Sequence, residues 1–200
     1  MEKEVKKPDG RRVKMTKLLL KESLVELMKI KSIHVISIKE ICEGADVNRS
    51  TFYRHYDTQY DLYDDIIDDI SEDIYKIYLA CTEEGLTVTL LLTKILCYIE
   101  ENREMFLVIL SDNGNISLGE TYNRITSRFI NRDDVGELGA YVAQFIATGM
   151  TSILWTWLNK EDRRPPEQIA GLISYLIKHG FRTAVDFVIG SSDKNEDKTE

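Results

Sequence analysis

Apolar positions recur along this chain at the three- and four-residue spacing of amphipathic helices, and no stretch of strand length alternates. Leu20, Leu24, Leu27 and Met28 form one face of a helix expected over about Thr16 to Lys31, followed by a short extended piece at Ile33 to Ile36. Ser37, with Glu40 three residues on, is a capping box that opens a short helix ending near Gly44. Asn48 is the next N-cap, for a helix over Arg49 to Tyr56. Two short helices either side of Gly44-Ala45-Asp46-Val47 have helix-turn-helix spacing. Thr58 then opens a longer helix to about Thr82, carrying Leu62, Ile66, Ile70, Ile74 and Ile77. Further helices are expected at about 87–101, 104–111 and 117–131, and Asp133 or Asp134 caps a segment reaching Asn159. Pro165 and Pro166 start the last helix, in which Ile169, Leu172, Ile173, Leu176, Ile177, Gly180, Phe181 and Ala184 keep helical register.

The expected class is therefore all-α: an N-terminal three-helix helix-turn-helix head and a larger helical-bundle domain for regulation and dimerisation. Along the chain this gives a basic flexible arm at 1–12, the head at 13–57, the larger domain at 58–190 and a disordered polar tail at 191–200.

Charge changes the picture by where it sits. The net charge is −8, yet residues 1–60 carry 13 Lys and Arg against 9 Asp and Glu, and the remainder 13 against 25. A basic head on an acidic body points to an anionic partner for the head. Three cysteines without paired spacing argue against a disulfide framework or zinc site, and the charged start lacks a signal-peptide core. The expected location is the cytoplasm.

The apolar side chains of Ile38, Ile41, Ala45 and Val47 lock the two short helices, while Phe52 and Tyr56, four apart, form the buried side of the second. That leaves Arg49, Ser50, Tyr53 and Arg54 on its other faces, residue types that read base edges in a major groove. Thr51 and His55 suit phosphate contacts, and the helix starts at Ser37 and Asn48 offer backbone N–H groups to further phosphates.

The segment Asn48-Arg-Ser-Thr-Phe-Tyr-Arg-His-Tyr56, after Ile38-x-x-Ile41 and before Asp61-Leu62, resembles the TetR family of bacterial regulators over roughly residues 13–65. The resemblance implies a recognition helix carrying Arg49 to His55, with Lys39 of the preceding helix reaching DNA. Two positions depart from the family pattern: Asp46 stands where glycine is common, and Gln59 where a phosphate-gripping lysine is usual. Gln59 donates a hydrogen bond without charge, so the salt dependence of binding is expected to be weaker by about one phosphate contact. The order Gly149…Trp155-x-Trp157-Leu158…Pro165-Pro166-Glu167 is similar to TetR-like regulators related to dihydroxyacetone-kinase operon activators.

Asp61, Asp65, Asp69 and Asp73 recur at i, i+4 and read as a solvated acidic face. Leu138 to Asn159 is a run of 22 residues without charge, long enough to raise a membrane span, but polar residues from Gln144 to Thr156 dilute it. A helix apolar nearly all round is buried in protein when it is not in lipid; in the resemblance, the last two helices of each subunit build a four-helix dimer interface. Tyr75, Tyr78, Phe106, Tyr122, Phe129, Phe145 and Trp155 are candidate liners of an effector cavity.

The sequence reading is a homodimeric regulator of transcription on a palindromic double-stranded operator, a repressor modulated by a small apolar effector. The alternative is an activator controlled by a protein partner. Neither a cofactor, a metal nor a membrane is expected. His34, His55 and His179 are dispersed and no phosphate loop or nucleophile elbow is present, so no catalytic residue is assigned.

Overall fold

The computed structural model describes residues 10–111 and 136–181. Every regular element among them is helical, as expected from the apolar spacing. The described residues divide into two compact units, with the boundary inside a long helix after Asp68.

In the first unit, α1 spans Gly10–Met28 and buries Leu20, Ser23, Leu24 and Met28. Arg11, Arg12 and Lys14 thus belong to a helix that starts earlier than its apolar stripe. The next segment is not extended: Ile33–Val35 forms a 3-10 turn, begun by Ser32, whose side chain accepts from the His34 amide. Helix α2, Ile38–Gly44, starts at the expected capping box, with Ser37 Oγ accepting from the Glu40 amide and the Glu40 carboxylate accepting from the Ser37 amide. A Cβ at Gly44 would run into Ser23 Oγ, which donates to the Ile41 carbonyl at 2.9 Å and would have to move. Asp46 takes the left-handed conformation, φ 51°, that the turn demands. Helix α3, Arg49–Phe52, is one turn only, although the Phe52/Tyr56 spacing suggested a helix to Tyr56; residues 53–55 continue it as turns.

Helix α4, Gln59–Glu83, follows. Asp61 Oδ2 accepts from the amides of Asp57 and Thr58, and Thr58 Oγ1 accepts from the Asp61 amide, a reciprocal cap. Leu62, Tyr63, Ile66 and Ile67 complete the first unit's core with Ile33, Ile36, Ile41, Phe52 and Tyr56.

The second unit holds the rest of α4 with α5 (Val88–Glu101), α6 (Arg103–Leu110), α7 (Gly136–Leu158) and α8 (Pro166–Leu176). Helix α8 packs mainly on α5, joined by Thr89 Oγ1 to Ser174 Oγ at 2.8 Å. Trp157 Nε1 donates to the Arg164 carbonyl and Arg103 Nε to that of Leu158, closing the turn into Pro166. The last helix does not keep its register: Ile177–Phe181 widens into a π-turn containing Gly180. The expected helix at 117–131, the cap at Asp133 or Asp134, Tyr122, Phe129 and the 191–200 tail lie outside the described residues. No helix of the described residues is long and apolar enough to cross a membrane.

Candidate nucleic-acid interface

A four-residue helix has no stability of its own, so α3 is held by its ends and its underside. Asn48 Oδ1 accepts from the Ser50 amide at 2.9 Å and from Ser50 Oγ at 3.0 Å, fixing the N-terminus. Beneath, Phe52 is fully buried and Tyr56 nearly so, their ring centroids 5.6 Å apart. This clamp leaves Asn48, Arg49, Ser50, Tyr53 and Arg54 exposed, and Thr51 and His55 half-buried. Tyr53 remains 56% exposed although its ring meets Phe52 edge-on at 5.7 Å. An exposed aromatic rooted on a buried one presents its hydroxyl on a stiff base.

Several of the candidate residues meet. Arg54 Nη2 donates to Thr51 Oγ1 at 2.9 Å. Lys39, Asn48 and Arg49 border one open groove of about 770 Å³ across the turn. Lys39 is exposed and within 3.6 Å of Glu43, a solvent-screened pair that yields readily to a phosphate. His55 sits near Lys17 and Arg54; burial, then those two positive charges, hold its imidazole pKa below the usual value. The charge around it is therefore cationic, the sign a phosphate backbone requires.

One candidate is tied up locally. Ser37 Oγ and its amide both bond to the Glu40 carboxylate, at 2.8 and 3.0 Å. Lys31 first, then the Ser37 amide and hydroxyl, hold the Glu40 carboxyl down at about 2. A carboxylate thus occupies the helix start that the sequence offered to a phosphate. Gln59 is half-buried at the start of α4, beside the Asp57–Thr58–Asp61 cap.

The acidic row on α4 is not the uniformly solvated face its spacing suggested. Asp61 caps the helix, Asp73 accepts from Lys76 and Tyr98, and Asp65 accepts from Lys17, Lys21 and Tyr56. The sequence reading missed this last group. Its one signal was Tyr56 itself, since a buried tyrosine hydroxyl needs a partner.

In the second unit, Phe106 is buried edge-on to Tyr98, and Tyr75 stacks on Tyr78. Phe145 and Trp155, expected to line a cavity, are both exposed, Phe145 by 77%. Tyr141, Phe145, Met150, Leu176 and Ile177 line an apolar groove of about 620 Å³ between α7, α8 and the π-turn. Burial pushes the thiols of Cys42 and Cys97 up, so neither is poised as a thiolate nucleophile.

Residues 87–179 match the TetR-type family profile described as transcriptional regulator C-terminal region. The chain is similar in structure to a TetR transcriptional regulator from Streptococcus agalactiae 2603V, at 19% identity and a TM-score of 0.59, over 82% of this chain and 96% of that one. It is also similar to the dihydroxyacetone kinase operon activator DhaS, at 18% identity and a TM-score of 0.53, over 84% of this chain and 97% of that one. No curated protein matches the chain in sequence. At these identities the solved structures speak for the fold, and the profile for the C-terminal region. Residues 87–179 are thus similar to the C-terminal region of TetR-type transcriptional regulators, and the chain shares its helical fold with solved TetR regulators.

Proposed function

We propose that this chain is a cytoplasmic homodimer that binds a palindromic duplex operator through its first unit and represses transcription until a small apolar effector engages its second. The observation that carries the reading is the presentation of α3: Arg49, Ser50, Tyr53 and Arg54 stand exposed above a buried Phe52–Tyr56 underside. Arg49 and Arg54 are suited to guanine edges or phosphates, Ser50 and Tyr53 to bases, and Asn48, Thr51, His55, Lys39 and Gln59 to the backbone that sets register. Ser37 contributes through its cap rather than its hydroxyl, which Glu40 holds.

A single short helix reads few base pairs, so two-fold symmetry doubles the contacts. The apolar groove between α7 and α8, with Tyr141, Phe145, Tyr175 and Leu176 exposed, supports a second copy of the chain as its cover. Effector binding would act by changing the separation of the two heads, so that both recognition helices no longer fit successive grooves. A second reading, an activator under a protein partner's control, draws support from the likeness to DhaS, itself an operon activator. Selection of bound duplexes from random sequence, followed by footprinting, tests the proposal. A two-fold symmetric protected site is expected. An asymmetric or sequence-blind footprint would overturn it.

A further inference from the structure

Asp65 plays no part in the contact scheme above, yet one oxygen of its carboxylate ties together three parts of the first unit. Asp65 Oδ2 accepts from Tyr56 Oη at 2.5 Å, Lys21 Nζ at 3.0 Å and Lys17 Nζ at 3.1 Å. Lys21 Nζ also donates to the Asp65 carbonyl at 3.1 Å, and the Lys17 ammonium lies 5.1 Å from the Tyr56 ring centroid. Lys17 and Lys21 are one turn apart on α1, Asp65 is on α4, and Tyr56 closes the turn that leaves α3. The group is partly withdrawn from water, with side-chain exposures of 13% for Lys21 and 25% for Asp65.

The two kinds of contact beneath α3 do different work. Apolar packing of Phe52 resists lifting the helix, but it is non-directional and tolerates rotation. Charge-assisted hydrogen bonds are short and directional, so the Tyr56 hydroxyl on Asp65 fixes the angle at which α3 leaves the core. The carboxylate is in turn pinned by two ammonium groups from α1. A one-turn helix tilted by a few degrees keeps its phosphate contacts, which tolerate movement, and loses paired contacts to base edges, which do not.

We propose that Asp65 is a positioning residue for sequence reading, setting the orientation of α3 through Tyr56 without touching DNA. The inference rests on the DNA-binding reading above. Tyr56→Phe removes one hydroxyl and keeps the ring and the net charge, whereas Asp65→Asn removes the charge. The full chain and each variant are titrated by fluorescence anisotropy against two duplexes: the one the unaltered chain selects from random sequence, and a scrambled duplex of the same length. The ratio of the two affinities is expected to fall about tenfold in Tyr56→Phe, equally in Asp65→Asn, and no further in the double variant, because each removes the same link. Asp65→Asn also tightens the scrambled duplex, since Lys17 and Lys21 lose their counter-charge. A ratio unchanged within about twofold in Tyr56→Phe, or equal loss on both duplexes, overturns the inference and leaves the DNA reading standing. An unaltered chain with no preferred duplex overturns the DNA reading itself. Circular dichroism checks folding, and Tyr56→Phe alone decides if Asp65→Asn does not fold.

Discussion

Replacing Asp65 by Asn should destabilise the protein at neutral pH and matter progressively less in acid. Burial raises the pKa of this carboxyl, but the hydrogen bonds from Tyr56, Lys21 and Lys17 outweigh it and lower it from 3.8 to about 2. A carboxylate depressed in the folded state stabilises the fold above its ordinary pKa, and that contribution is lost as pH falls through the folded value. The full linkage, near 2.4 kcal/mol at about 1.36 kcal/mol per pH unit, must be discounted because the side chain is a quarter exposed and solvent-screened. That leaves about 1–2 kcal/mol at pH 7, of which about half is gone by pH 3. Asparagine breaks the charge-assisted bond from Tyr56 and takes the Asp65 charge away from Lys21, which is largely buried. Urea unfolding followed by circular dichroism at pH 7 and pH 3, on both proteins, measures the difference. A gap under about 0.5 kcal/mol at pH 7, or one that persists undiminished at pH 3, refutes the reasoning.

Three further outcomes follow from local geometry. Gly44→Ala should lower stability by about 1–3 kcal/mol in urea unfolding, because the added methyl displaces Ser23 Oγ from the Ile41 carbonyl; an unchanged midpoint would show that α1 and α2 can part freely. At the left-handed Asp46, glycine should be tolerated within about 0.5 kcal/mol, while valine should lower stability by roughly 1–2 kcal/mol in the same assay. If the proposed dimer forms through the apolar groove between α7 and α8, Phe145→Glu should leave circular dichroism unchanged and yield a monomer by analytical ultracentrifugation.

Much of the first unit was legible because its signals are local. Ser37 and Glu40 form the capping box their spacing announces, Asn48 caps α3, and Asp46 adopts the strained turn conformation. The errors came where tertiary contacts decide. The 3-10 turn at Ile33–Val35 hangs on the Ser32 side chain and on burying Ile33, which no periodicity encodes. The regular helix of α3 ends at Phe52, and the hydroxyl of Tyr56, four residues on, bonds to Asp65, a contact that local spacing does not encode. Asp65 itself looked like one of a row of solvated acids, since its partners lie 44 and 48 residues away in the chain. In the second unit, apolar residues at helical spacing fixed the helices but not which faces meet. Phe145 and Trp155 carry the same pattern whether they line a cavity or an open groove, and the structure exposes both. The loss of register after Leu176 gathers around Ile177 and Gly180, where the π-turn forms.

The central claim is that α3 is an exposed reader of base sequence, and Arg49 tests it most directly. With the selected duplex in hand, the unaltered chain and Arg49→Ala are compared against a panel carrying every single base-pair change. The account predicts an affinity loss of roughly 1–3 kcal/mol and relaxed preference at one position of each half-site. A variant with the same preference at every position would contradict it.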